Sequence, residues 1–177
     1  GLSPRSIAAH RSALGSFARH AAAGDGADPW HGRLPARLPG RIPFALEPAA
    51  IERLIAAAGA GGEAPIALRD VAIVELAYGA GLRIHELAGL TVRDLGLDRR
   101  EVRIHGKGAR QRIGLMGRPA VDAVRSWLAS GWPALVGAHP GPADAVFVNR
   151  YGAPLGVRGL RKRIDELATR AELPDRK

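Results

Sequence analysis

Gly81-Leu82-Arg83-Ile84-His85-Glu86-Leu87-Ala88-Gly89-Leu90 decides how this 177-residue chain is read. The stretch follows a long apolar run and a glycine stop, and it sets one arginine and one glutamate three positions apart. If residues 83 to 89 continue as a short helix, Arg83 and Glu86 are i, i+3 neighbours and the carboxylate can hold the guanidinium in one orientation. A guanidinium so held keeps N–H groups that match two phosphate oxygens in a bidentate pair. On spacing alone the two residues are equally an ordinary surface ion pair, worth about 0.3–0.5 kcal/mol.

Outward from that stretch, residues from about Ala67 to Ala80 are apolar nearly all round, with Leu68, Val71, Ala72, Ile73, Val74, Leu76 and Ala77. Such a helix belongs at the centre of a core. Before it, Ile51, Leu54, Ile55 and Ala58 recur at i, i+3, i+4 and i+7, which predicts an amphipathic helix over Pro48 to Ala58 closed by Gly59, Gly61 and Gly62. After Thr91 the period falls to two. Val102 and Ile104 alternate with Glu101, Arg103 and His105, and Ile113 and Leu115 alternate with Arg110, Arg112 and Gly114. This predicts a hairpin with Lys107 at its tip between two glycines. A short strand at Leu95 to Leu97, turned by Asp98-Arg99-Arg100, extends it to a three-stranded antiparallel meander.

A further helix is expected over Pro119 to Ala129, with Val121, Val124 and Leu128 inward and Trp127 beside them. Gly131, Pro133, Gly137, Pro140, Gly141 and Pro142 read as a loop, Val146 to Val148 as a short strand, and Val157 to Ala171 as the last helix. Arg158, Arg161, Lys162 and Arg163 crowd the first turns of that helix, the unfavourable end for positive charge unless an anion lies nearby. The fold class is α+β: a mainly helical unit with a small three-stranded antiparallel sheet, preceded by one separate helix.

That separate helix runs from about Pro4 to Ala22, with Ser3 as N-cap and Pro4 at the first helical position. Its apolar stripe is Ile7, Leu14, Phe17 and Ala21. The opposite face carries Arg5, Ser12 and Arg19 with Ala9 and Ser16 between them, which suits close approach to a DNA backbone or is a solvated face. Residues 24–46 have linker composition, rich in Gly and Pro. Arg33, Arg37 and Arg41 in it would reach phosphates if two domains clamp a duplex, or else sit on a solvated connector. The expected domains are 1–23, a linker 24–46, and 47–177.

Leu2-Ser3-Pro4-Arg5-Ser6-Ile7, Leu68-Arg69-Asp70, the glycine-arginine stretch, Gly106-Lys107-Gly108 with Arg112 after it, and Val146-Phe147-Val148-Asn149-Arg150 stand in one order along nearly the whole chain. In that order they resemble the tyrosine recombinase and integrase family, in particular its Xer-like branch. One departure lies at His85, where the family usually carries a small hydroxyl residue. The resemblance implies site-specific DNA recombination or integration, in which strands are cut through a 3′-phosphotyrosine and rejoined, with no metal and no cofactor. Arg83 then matches the first of two phosphate-binding arginines, Glu86 the residue that orients it, and Lys107 the general acid to the leaving 5′ oxygen. Arg110, Arg112, Arg158, Arg161 and Lys162 join Arg5, Ser12, Arg19 and Arg41 as candidate DNA contacts.

The resemblance further implies that residues 1–23 are the last helix of a core-binding domain, and that 47–177 is the N-terminal part of a catalytic domain. A His-x-x-Arg-His box and the nucleophilic tyrosine would follow beyond Lys177. Neither Tyr78, which reads as a core or boundary residue, nor Tyr151, which reads as a turn residue, stands where that nucleophile does. The chain is thus expected to hold half a catalytic site and to be inactive alone, its full-length form acting on double-stranded DNA as a homo- or hetero-oligomer, a tetramer. The alternative is a non-catalytic duplex DNA-binding protein of the same descent, and a weaker one is a basic RNA-binding module.

Composition agrees with a polyanionic partner. Twenty-six Lys and Arg against 17 Asp and Glu give a formal charge of +9, almost all of it arginine. The absence of cysteine excludes a disulfide framework and a thiolate metal site. The sequence has no apolar run of about 18 residues and no signal-peptide pattern, so a cytoplasmic protein without membrane contact is expected. Six histidines show no ligand spacing, and Gly106-Lys107-Gly108 lacks the spacing and hydroxyl of a nucleotide-binding loop.

Overall fold

The computed structural model describes residues 3–21, 46–106, 111–137 and 144–174. The chain divides into two compact units, Gly1–Ala45 and Leu46–Lys177. In the first, helix α1 spans Pro4–Ala21. The Ser3 hydroxyl accepts a hydrogen bond from the Ser6 amide at 3.1 Å, the N-cap bond that satisfies one of the helix's orphan donors. Ile7, Leu14 and Phe17 of its apolar stripe are exposed. The expected linker lies outside the described residues, apart from Leu46.

The second unit is built around α3, Ala64–Gly79. Its apolar circumference is used on several sides: Ala72, Ile73, Val74 and Leu76 are all buried. Helix α2, Pro48–Gly59, packs on one side of it and α5, Arg118–Ser126, on another. Each fully buried aliphatic side chain contributes about 1.5–3 kcal/mol, so this helix is the stable base of the unit. α3 begins earlier than its apolar run suggests, because Pro65 in the first turn needs no N–H partner there. The last long helix, α7, runs Val157–Arg170, and Leu160 and Leu167 on it are fully buried.

Charge also joins α3 to α7. Asp70 is fully buried. Its Oδ1 accepts from Arg69 Nε and Nη2 at 3.0 and 2.7 Å, and its Oδ2 accepts from Arg163 Nε at 2.6 Å. Arg69 Nη1 also donates to the Val148 carbonyl at 3.0 Å, and Arg163 Nη1 to Glu166 at 2.8 Å. Two guanidiniums thus satisfy one buried carboxylate and pin the 146–148 segment to the same point.

The sheet comprises β1 (Leu95–Gly96), β2 (Glu101–His105) and β3 (Gln111–Leu115), antiparallel in that order. Its register pairs Val102 with Gly114 and Ile104 with Arg112. Val102 and Ile104 face the core, so Gly114 and Arg112 share that face, while Ile113 and Leu115 are exposed. Position 114 packs closely, because an added Cβ would stand 2.8 Å from Ile104 Cδ1 and that side chain would have to shift.

Two regions differ from the sequence reading. The helix expected to end at Ala129 continues through a wider turn, Trp127–Gly131, into α6, Trp132–Val136, with the Trp132 amide donating to the Trp127 carbonyl. Pro133 falls in the first turn of α6, directly after the wider turn, so it lies within a helical run instead of marking a loop. The two indoles donate to the Val146 and Ala145 carbonyls, each at 2.9 Å, which makes both tryptophans packing and anchoring residues. Residues 146–148 form no regular strand; a single bridge joins Thr91 to Ala145 just before them, and another joins Val148 to Pro154.

Asp70→Ala strands two guanidiniums in the interior and should cost about 3–5 kcal/mol in urea unfolding. Asp98→Ala, which removes a solvent-exposed partner of Arg125, should leave the midpoint unchanged.

Candidate active site

The end of α3 aims the site. Ala80 caps the helix, Gly81 takes the left-handed conformation at φ +61, and the Leu82 amide reaches back to the Ala77 carbonyl at 3.2 Å. This is the glycine-based C-terminal motif in which a six-residue hydrogen-bonded loop reverses the chain. Leu82 is buried, so the backbone leaves the turn in a fixed direction.

Arg83 follows as the N-cap of α4, Ile84–Ala88, with extended backbone at φ −74 and ψ 155. Glu86, the third residue of α4, returns its carboxylate to the Arg83 amide, with Oε2 accepting at 2.7 Å. That is one half of a capping box; arginine has only donors, so the reciprocal side-chain bond cannot form. The pair is therefore joined chiefly through backbone, not along one helical face as the spacing alone suggests. The guanidinium contact is longer, Nη1 to Oε1 at 3.5 Å.

A third residue completes the cluster. Arg112, on the core-facing side of β3, donates from Nη2 to Glu86 Oε2 at 2.9 Å and to the Gly81 carbonyl at 3.4 Å. The Glu86 side chain is 2% exposed, that of Arg112 44%, and that of Arg83 72%. Burial pushes the Glu86 carboxyl up, but the Arg83 amide and the charges of Arg112 and Arg83 together outweigh it, so the net shift is below its ordinary 4.5. The carboxylate is ionised, and the cluster carries two positive charges against one negative, with Arg83 facing solvent. Such an arrangement can hold a phosphate oxygen.

Beside the cluster, Asp94 accepts from the Thr91 amide and hydroxyl at 3.0 and 2.6 Å, and its Oδ1 lies 2.9 Å from His105 Nε2. Burial raises that carboxyl and the Thr91 and His105 contacts lower it, with a net fall. This clamp ties the end of β2 to the turn before β1. Neither it nor the Arg112–Glu86 bond was visible in the sequence, because a two-residue period assigns faces without saying which is inward.

The other expected residues are distributed as follows. Lys107, Arg110 and Arg41 lie outside the described residues, as does the side chain of Arg5. Ser12 and Arg19 are exposed on α1, and Arg158, Arg161 and Lys162 on α7. Arg163 departs from its neighbours, because it is turned inward onto Asp70. Tyr78 is 59% exposed, not a core residue, and Tyr151 is 60% exposed in a turn. Among the described residues there is no group of three or more metal-ligating side chains and no helix long and apolar enough to cross a membrane.

The sequence model of the Phage integrase family matches residues 45–176. Tyrosine recombinase XerC of Mycobacterium leprae (strain TN) is 43% identical over 126 residues, covering 70% of this chain and 42% of the relative. The crystal structure of XerA recombinase superposes with a TM-score of 0.64 at 26% identity, over 80% of this chain and 47% of that one. XerH site-specific recombinase bound to difH substrate, a pre-cleavage complex, shares the fold with a TM-score of 0.74 at 20% identity, over 100% of this chain and 51% of that one. This chain thus spans less than half the length of the curated relative.

The Glu86 shift has a testable sign. A carboxyl held below its unfolded value contributes stability that is present above about 4.5 and is lost as pH falls through the folded value. The difference in thermal stability between the unaltered protein and Glu86→Gln should be largest near about pH 7 and should shrink as pH falls below the ordinary carboxylate range and the Glu86 carboxyl takes up its proton.

Proposed function

The chain belongs to the phage integrase family, and from that premise we propose that it acts in site-specific DNA recombination, with Arg83 holding the phosphodiester that is cut. The observation that carries the reading is the position of Arg83: fixed at its backbone by a buried carboxylate, yet 72% exposed at its side chain. An arginine with an anchored base and a solvated head can reach a DNA backbone without being drawn back into the protein.

In transesterification at phosphorus the non-bridging oxygens gain charge as the nucleophile enters. Donors already in place for that charge lower the barrier without reorganising; loss of one costs on the order of 10²–10³ in rate. Arg83 supplies such donors, and Glu86 fixes where they point. Lys107, between the ends of β2 and β3 in the sequence, is the proposed proton donor to the departing 5′ oxygen. The nucleophile is a tyrosine other than Tyr78 and Tyr151, so the 177 residues alone are expected to bind DNA without cutting it.

Duplex DNA is the proposed partner, gripped by Arg83, Arg110 and Arg112 at the cluster and the hairpin and by Arg158, Arg161 and Lys162 along α7. Arg5, Ser12 and Arg19 on α1, with Arg41, are the proposed contacts of a second, N-terminal unit whose boundary lies within residues 24–46. The full-length protein would act as an oligomer on DNA. The relative's name, XerC, and the XerH complex with difH support this reading.

Duplex binding by the chain should weaken by about 10³–10⁵ between about 50 and 200 mM salt if about 6–10 phosphates are contacted; a flat response would count against it. On nicked substrates that trap covalent intermediates, no adduct should form, and one mapping to Tyr78 or Tyr151 would overturn the assignment of roles.

A further inference from the structure

Three hydrogen bonds converge on Glu86, and the two short ones do not come from the Arg83 guanidinium. Oε2 accepts from the Arg83 amide at 2.7 Å and from Arg112 Nη2 at 2.9 Å, whereas Arg83 Nη1 stands 3.5 Å from Oε1, at the limit of a hydrogen bond. A buried carboxylate draws in whatever donors can reach it, because leaving its lone pairs unmet is costly. With Arg112 in place, that demand is met from the sheet side.

We propose that Arg112 is a positioning residue for Arg83: by occupying Glu86 it keeps the carboxylate from closing on the Arg83 guanidinium, which stays turned outward and electropositive toward a phosphodiester. The inference rests on the reading of Arg83 given above.

Two further features support it. The first is the face chosen by β3. The strand turns Arg112 toward the core, opposite Ile104, and leaves Ile113 and Leu115 at 56% and 72% exposure. A one-residue shift of register would reverse that choice and break the Arg112–Glu86 bond. Gly114 fits the same placement, since a Cβ there would press on the Ile104 and Val102 side chains across the strand. The second is that Arg112 also reaches the carbonyl of Gly81, the left-handed residue that sets the direction of Arg83. One guanidinium therefore braces both the turn and the carboxylate on which Arg83 depends.

Charge decides the consequence. Arg83 and Glu86 alone sum to zero, and a neutral pair offers a phosphate little. With Arg112 the cluster is +1, and the arginine with the more exposed side chain, Arg83 at 72%, is the one whose guanidinium makes the longer contact with the carboxylate, 3.5 Å against 2.9 Å. Removing Arg112 should therefore act through Arg83, which contracts onto Glu86 before any ligand is added.

The test uses the 177-residue chain and the arginine Nε–Hε NMR signals, with inorganic phosphate as the probe. In the unaltered protein, phosphate should shift the Arg83 signal, and Arg83→Gln should abolish the corresponding binding. Arg112→Gln should move the Arg83 signal without phosphate and weaken phosphate binding by about tenfold, the scale of one hydrogen bond to a charged group. Arg112→Lys, which keeps the charge, should restore most of both and also serves if the glutamine variant fails to fold. If Arg83→Gln leaves phosphate binding unchanged, the reading of Arg83 fails. If Arg83→Gln weakens binding but Arg112→Gln leaves the ligand-free Arg83 signal in place, Arg112 supplies charge alone and the positioning role is refuted.

Discussion

A carboxylate taken out of water must be met by donors, and Glu86 meets that requirement with groups from two separate elements. The N-terminus of α4 gives it an amide, and β3 gives it a guanidinium. Each bond is individually ordinary. Together they fix the end of α3, the start of α4 and the inner face of the sheet around one point, and that point is the base of Arg83. If Glu86 were neutral or solvent-exposed, nothing in the geometry would distinguish Arg83 from the other exposed arginines of a strongly basic chain.

The same device recurs. Asp70, with Arg69 and Arg163, joins α3 to α7 and the 146–148 segment; Asp94, with Thr91 and His105, joins the end of β2 to the turn before β1. Among the described residues no buried side-chain nitrogen or oxygen lacks a partner. Apolar burial around α3 supplies the driving force, but it is tolerant of small shifts. The acid-centred clusters are not, since a displaced partner leaves a charge unpaired in the interior. That division lets a hydrophobic core carry a site whose donors must be placed to fractions of an ångström.

Much of this was legible in the sequence. The all-round apolar pattern of α3 announced a central helix and the change of period after Thr91 announced the hairpin; the Arg83–Glu86 spacing brought the two residues together, but as a side-chain pair on one helical face and not as the amide-to-carboxylate bond that joins them. What could not be read was direction. Alternation in β3 does not say whether Ile113 and Leu115 or Arg112 and Gly114 face the core; that depends on Val102 and Ile104 filling the space across the strand. Nor does a run of four basic residues at the start of α7 reveal that Arg163 serves Asp70, ninety-three positions away. Pro133 misled for a related reason: its effect depends on where in a helix it falls, which composition does not record. Lys107, expected at a hairpin tip from its place between glycines, lies outside the described residues.

The most direct measurement is a crystal structure of the chain with duplex DNA. The account predicts the Arg83 guanidinium at about 2.7–2.9 Å from a non-bridging phosphate oxygen, with Glu86 still bound to the Arg83 amide and to Arg112. A complex in which the phosphates run past another face, with Arg83 in solvent or folded back onto Glu86, would contradict it.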